Sequence, residues 1–246
     1  WQAGQGTTSS NTNGSITSTV SVNTTAGFSI VTYTGNGTSG STVGHGLGVA
    51  PKMVIVKCRS NAGYDWGVWH TSLGTNIIYL QSTGASAAAA GLFNNTIPSS
   101  SVITLGGASQ TNWGDTNYST YTYVAYCFAE IAGFSKFGSY TGNGSADGPF
   151  VYLGFRPKWI MVKRTDVAGD WQIIDTPRQL YNDGAVANQL RANSTADEST
   201  SGTYSVDILS NGFKDRTGAS TNWNTNGGTY IYMAFASNPF KVSNAR

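Results

Sequence analysis

An internal repeat constrains this chain more than any single motif, because self-similarity at a fixed period sets the architecture within which every motif must sit. Gly27-Phe28-Ser29, followed by Tyr33-Thr34-Gly35-Asn36-Gly37, returns as Gly133-Phe134-Ser135, followed by Tyr140-Thr141-Gly142-Asn143-Gly144. Leu47-Gly48-Val49-Ala50-Pro51-Lys52-Met53-Val54-Ile55-Val56-Lys57 returns as Leu153-Gly154-Phe155-Arg156-Pro157-Lys158-Trp159-Ile160-Met161-Val162-Lys163. Asp65-Trp66 matches Asp170-Trp171, and Asn112-Trp113 matches Asn222-Trp223. Thr122-Tyr123-Val124 and Phe128-Ala129 match Thr229-Tyr230-Ile231 and Phe235-Ala236. Blocks in one unbroken order define two units, 27–132 and 133–246, with almost no linker between them.

Each unit reads as short strands at close spacing, in the first near 28–34, 52–58, 65–70, 76–81, 101–105 and 121–129. Gly-Asn-Gly, Pro and Ser/Thr/Asn clusters separate them, the punctuation of antiparallel sheets. Parallel strands would need helical crossovers, for which the spacing leaves no room. The expected fold is therefore all-β: two tandem antiparallel β-sandwich-like or barrel-like repeat units. Val54, Ile55 and Val56 are apolar in succession, which places their strand centrally. Pro51 and Pro157 stand where a strand begins and a missing N–H costs no ladder bond. The run Ala85 to Ala90 favours helix, but Gly84 and Gly91 limit it to a loop or a single turn. Residues 1–26 read as a connector from an upstream domain, with Ile16 to Val22 alternating as an edge strand.

Only 11% of residues are charged, and the polarity is carried by Ser, Thr, Asn and 31 Gly instead. Without a Lys/Arg cluster the chain has no footprint for nucleic acid, and no apolar run is long enough for a membrane-spanning helix. Cys58 and Cys127 lie inside apolar strand-like runs and read as buried thiols, although sequence alone leaves a disulfide between them open. His45 and His70 have no partner at metal-ligand spacing. Neither a metal nor a cofactor is expected.

Glycan hydrolysis would need two carboxylates in one cleft. The acidic residues near strands are Asp65, Glu130, Asp170, Asp175, Asp207 and Asp215, and the repeat-equivalent Asp65 and Asp170 read as structural. No catalytic residue is assigned. Gly35-Asn36-Gly37 and Gly142-Asn143-Gly144 lack the Lys-Ser/Thr of a phosphate loop and read as hairpin turns. Trp66, Trp69, Trp159 and Trp171 fall in strand-like runs and read as core. Trp113 and Trp223 fall in polar loops, where an aromatic ring either anchors the loop or stacks on a ligand. They are the candidate glycan contacts.

Several blocks resemble the repeat-containing C-terminal regions of large bacteriophage virion proteins, of the marine-phage type, which accompany concanavalin A-like (LamG) lectin domains. They are Asn23-Thr24-Thr25-Ala26-Gly27-Phe28-Ser29-Ile30-Val31, Gly44-His45-Gly46-Leu47-Gly48-Val49-Ala50-Pro51-Lys52 and Tyr123-Val124-Ala125-Tyr126-Cys127-Phe128-Ala129-Glu130. Gly148-Pro149-Phe150-Val151-Tyr152, Asp207-Ile208-Leu209-Ser210-Asn211-Gly212-Phe213-Lys214 and Thr229-Tyr230-Ile231-Tyr232-Met233-Ala234-Phe235-Ala236 carry it further. The resemblance implies a virion location and a tail-fibre or receptor-binding role. Its partners would be host cell-surface glycan, other virion proteins and copies of the chain itself, as a homotrimer. A capsid decoration or filament-forming protein and a glycan-cleaving depolymerase are the alternatives.

Overall fold

The computed structural model describes residues 2–88, 90–107, 116–178, 182, 188–198 and 205–236. The chain divides into two compact units, Trp1–Leu80 with Ser86–Glu130, and Gln81–Ala85 with Ile131–Arg246. The all-β expectation holds. Sheets account for nearly all regular structure, and every pairing between named strands is antiparallel.

In the first unit the strands are β1 (Ser9–Asn11), β2 (Ser18–Asn23), β3 (Phe28–Thr34), β4 (Thr42–Gly44) and β5 (Met53–Cys58). They continue with β6 (Gly67–His70), β7 (Asn76–Tyr79), β8 (Ala87–Ala88), β9 (Val102–Thr104) and β10 (Thr122–Phe128). The main sheet runs β1-β2-β3-β10-β5-β6-β7-β8, and β4 and β9 form a second, small sheet. β5 is central and buried on both faces, as its apolar run requires: Val54 and Val56 join the main core cluster, while Met53 and Ile55 are buried on the other side. Val31, Tyr123 and Ala125 of the main sheet meet Val43 and Ile103 of the small one, with Leu105 just beyond β9, in a single cluster, the interior of a two-layer sandwich. Burying each such large side chain contributes about 1.5–3 kcal/mol.

The alanine run splits between β8 and a single helical turn, α1 (Ala90–Phe93). Leu92 of that turn presses on β6: a Cβ on Gly67 would lie 2.1 Å from Leu92 Cδ2. Residues 1–26 group with the first unit. The alternating stretch forms β2 because it can bury Val20 and Ser18 while pairing along β3.

In the second unit the strands are β11 (Ser135–Thr141), β12 (Phe150–Tyr152), β13 (Pro157–Arg164) and β14 (Trp171–Asp175). β15 (Leu190–Arg191), β16 (Val206–Leu209), β17 (Gly212–Asp215) and β18 (Thr229–Ala236) complete it. One sheet runs β11-β18-β13-β14-β15 and the other β12-β17-β16. Ile160, Val162 and Ile174 of the first sheet share a core with Val206, Ile208 and Phe213 of the second. The order β3-β10-β5-β6 of the first unit thus has its counterpart in β11-β18-β13-β14.

Candidate functional site

The repeated Tyr-Thr-Gly-Asn-Gly block is closed by closely matching bonds in each unit, which differ in one acceptor of the buried asparagine amide. In the first, the Asn36 N–H donates to Asn117 Oδ1 at 2.9 Å, and Asn117 Nδ2 donates to Asn36 Oδ1 and Thr38 O. In the second, the Asn143 N–H donates to Asn224 Oδ1 at 2.8 Å, and Asn224 Nδ2 donates to Ser145 O and Thr217 O. Tyr33 stacks on Tyr123 with ring centroids 5.2 Å apart, and Tyr140 stacks on Tyr230 at 5.0 Å. Tyr123 Oη accepts from the Tyr118 N–H, as Tyr230 Oη accepts from the Thr225 N–H.

Glycine is required at the crossing: a Cβ on Gly35 would stand 2.3 Å from Tyr118 O, and one on Gly142 2.3 Å from Thr225 O. Gly37 and Gly144 take φ of 77° and 70°, in the left-handed region open to glycine. These blocks are therefore turns closed by a buried asparagine and a tyrosine pair. Their tyrosine and asparagine side chains bond within the scaffold.

Trp113 lies outside the described residues. Trp223 is corrected from candidate glycan contact to loop anchor: it is fully buried in the core, and its indole N–H donates to Gln189 Oε1 at 3.2 Å. A ring without an exposed face cannot stack on a sugar. The bonds also correct the pairing of the loops. Tyr33 Oη donates to Thr116 O, and Tyr140 Oη donates to Trp223 O, so Trp223 corresponds to Thr116 and Asn224 to Asn117. Trp69 and Trp171 are buried as expected, whereas Trp66 is half-buried against Tyr126 and beneath the Lys57 ammonium.

The titratable groups serve the scaffold. His45 is buried, with Nε2 donating to Ser99 O and Nδ1 accepting the Leu47 N–H, and burial lowers its pKa. This leaves the neutral ring, which satisfies both neighbours. Cys58 and Cys127 are free buried thiols, and burial pushes Cys127 up to about 12. Lys163 Nζ donates to Thr83 O, Gly84 O and Arg164 O, which fastens Gln81–Ala85 into the second unit. Burial lowers Lys163 to about 8.

Asp170 accepts from Asn193 Nδ2 and pairs with Arg191. Asp207 pairs with Arg216, and Asp175 with Arg178. Asp215 is fully buried: Oδ1 accepts the Thr217 N–H, Oδ2 has no partner among the described residues, and burial raises the carboxyl to about 7. Among the described residues no group of three His, Cys, Asp or Glu is placed to hold a metal ion.

One surface is built differently from this scaffold. Phe150 and Tyr152 alternate about the buried Val151 on β12 and stand 45% and 62% exposed on the outer face of the small sheet. Lys214, opposite Phe150 on β17, bonds Asp147 at 2.7 Å, and Arg216 reaches both Asp147 and Asp207. Exposed rings beside hydrogen-bonding charged groups can contact a ligand that has an apolar face and a polar rim. The alternation Phe-Val-Tyr carried the signal for this face, but it also fits an ordinary half-buried strand.

A family model described as a domain of unknown function, DUF7483, matches residues 1–239. No curated protein and no solved structure matches the chain.

Proposed function

The chain belongs to the DUF7483 family, whose model spans both units, and we propose that it is a non-enzymatic segment of a bacteriophage surface appendage that contacts host-cell glycan. The observation that carries the glycan reading is the exposed Phe150 and Tyr152 pair, set beside the Lys214–Asp147 and Arg216–Asp207 ion pairs. Sugar rings present apolar C–H faces to aromatic rings, and their hydroxyls bond to charged groups already held in place. The residues of the repeated turns are spent on the scaffold, so recognition falls to side chains particular to one unit. The phage assignment rests on the sequence blocks that resemble virion proteins. In the appendage the chain works in several copies.

Purified protein is expected to bind immobilised envelope polysaccharide of a phage host, and Phe150→Ala with Tyr152→Ala is expected to abolish that binding while thermal unfolding is preserved. Full retention of binding by the double variant rules out this face. Release of reducing sugar during the incubation replaces the attachment reading with the depolymerase one.

A further inference from the structure

We infer that the open edge of β12 pairs with β12 of a second copy of this chain, antiparallel about a two-fold axis. The first unit shows what this position in the fold accepts. There the matching strand, β4, is covered along its outer edge by the chain's own residues 14–18. The Ile16 N–H donates to Thr42 O at 2.9 Å, Ser18 Oγ donates to Gly44 O at 2.8 Å, and Ile16 bridges Val43 in parallel. The approach is close: a Cβ on Gly14 would stand 2.3 Å from Thr42 O.

The correspondence of β4 with β12 follows from the ladders. The Leu105 N–H donates to Ser41 O, and the Asp215 N–H donates to Pro149 O, which places Phe150, Val151 and Tyr152 where the first unit has Thr42, Val43 and Gly44. Alternate residues of an antiparallel strand face opposite sides of the ladder. Pro149 and Leu153 bond toward β17, so the main-chain groups of Phe150 and Tyr152 face outward. Among the described residues nothing bonds the Phe150 and Tyr152 carbonyls, although both of their counterparts in the first unit are paired. The second unit has only a short link before β11, so it lacks a preceding arm like residues 14–18.

Tyr152 also stands where the first unit has Gly44, against which Asn11, at the end of β1 just before the arm, packs. A segment shaped like that arm would meet the tyrosine ring. A second β12 does not: with Val151 facing its own symmetry mate, Phe150 lies opposite the mate's Tyr152 as a hydrogen-bonded pair, and the reverse pair forms across the axis. The aromatic rings then meet side by side on the outer face, a favourable cross-strand pairing. β12 carries no charged residue or proline of the kind that blunts edge strands. The contact is self-complementary and closes at two copies. It is made by main-chain groups, and it stands whether or not the aromatic face binds glycan.

Register makes the inference testable. Facing residues of a hydrogen-bonded antiparallel pair have Cα atoms about 5.5 Å apart, within disulfide reach. A mixture of Phe150→Cys protein and Tyr152→Cys protein is expected to give a disulfide-linked heterodimer under mild oxidation. Each variant alone is expected to cross-link far less, and wild type not at all, because Cys58 and Cys127 are buried. Sedimentation of the unmodified chain is expected to show a monomer–dimer equilibrium. Phe150→Pro, which removes an outward N–H and leaves the bonds to β17 in place, is expected to weaken that dimer at least about tenfold, or roughly 1.4 kcal/mol. A chain that stays monomeric at the highest soluble concentration overturns the inference, as does cross-linking of either variant alone as efficiently as the mixture. Should the proline variant fail to fold, the cysteine mixture still decides the matter.

Discussion

Where the first unit buries Leu105, the second buries Asp215. The two occupy one place: Leu105 O accepts the Gly40 N–H and Asp215 O accepts the Gly148 N–H, just before the matching ladders. The same contrast recurs across the interior. Cys58 becomes Arg164, and Gly67 with Leu92 packed on it becomes Gln172, whose amide has no partner among the described residues. The frame tolerates this because strand order and the asparagine-closed turns do not depend on which side chains fill the middle. An unpaired buried polar group still costs about 1–3 kcal/mol. The first unit is therefore expected to be the more stable near neutral pH, and the second the one that loses stability as pH rises through neutrality.

The comparison is tested hardest at the shared turns. Asn117 and Asn224 are fully buried, and each side chain makes three hydrogen bonds that water cannot replace. Asn117→Ala and Asn224→Ala are each expected to lower unfolding free energy by about 3–5 kcal/mol, read by urea denaturation with tryptophan fluorescence. A large loss in one unit and a negligible one in the other would show that the turns are not equivalent supports.

Next in size is the buried carboxyl. Asp215 titrates at about 7 in the folded chain against an ordinary 3.8, because burial disfavours its charge. Between those values the folded chain holds a proton that the unfolded chain has released. The stability this contributes is complete below about 3.8 and is lost as pH rises through about 7. Asp215→Asn keeps an acceptor for the Thr217 N–H but cannot ionise. It is expected to stabilise the protein by about 1–2 kcal/mol above neutral pH and to change little near pH 4. Unfolding curves at several pH values check this, and an unchanged pH slope in the variant would assign the slope to other groups.

Much of this frame could be read from residue order. Val54, Ile55 and Val56 announced a central strand, the glycine-bounded alanines could hold no more than a turn, and His45 without a ligand partner was structural. The loops were harder. Asn112-Trp113 and Asn222-Trp223 match letter for letter, yet Trp113 precedes Tyr123 by ten residues (123 − 113) and Trp223 precedes Tyr230 by seven (230 − 223). The tyrosine hydroxyl and the crossing glycine set the spacing, so the mate of Asn224 is Asn117, amid different neighbours. No local pattern marked Gln81–Ala85 for the second unit, because the cause is Lys163, about eighty residues away in the chain. Loss of the glycan assignment at Trp223 has the same root: a polar loop sequence gives no warning that the ring it carries is folded inward.

The smallest expected effect lies at the outer face of β12, where the two units differ most in what they show to solvent. Thr42 and Gly44 of the first unit lie beneath its N-terminal arm, while Phe150 and Tyr152 stand open. Rings this exposed contribute less to the fold than core rings do, since Phe150 keeps 45% and Tyr152 62% of its surface in water. Val151 between them is buried, and the ladder with β17 is made by the main chain, so replacing the rings leaves both intact. Phe150→Ser with Tyr152→Ser is accordingly expected to shift unfolding free energy by no more than about 0.5 kcal/mol per site. A loss several times larger, measured by the same denaturation, would mean that the rings cover the sheet of their own unit as the arm covers β4. Glycan contact would then have to be sought elsewhere in the molecule.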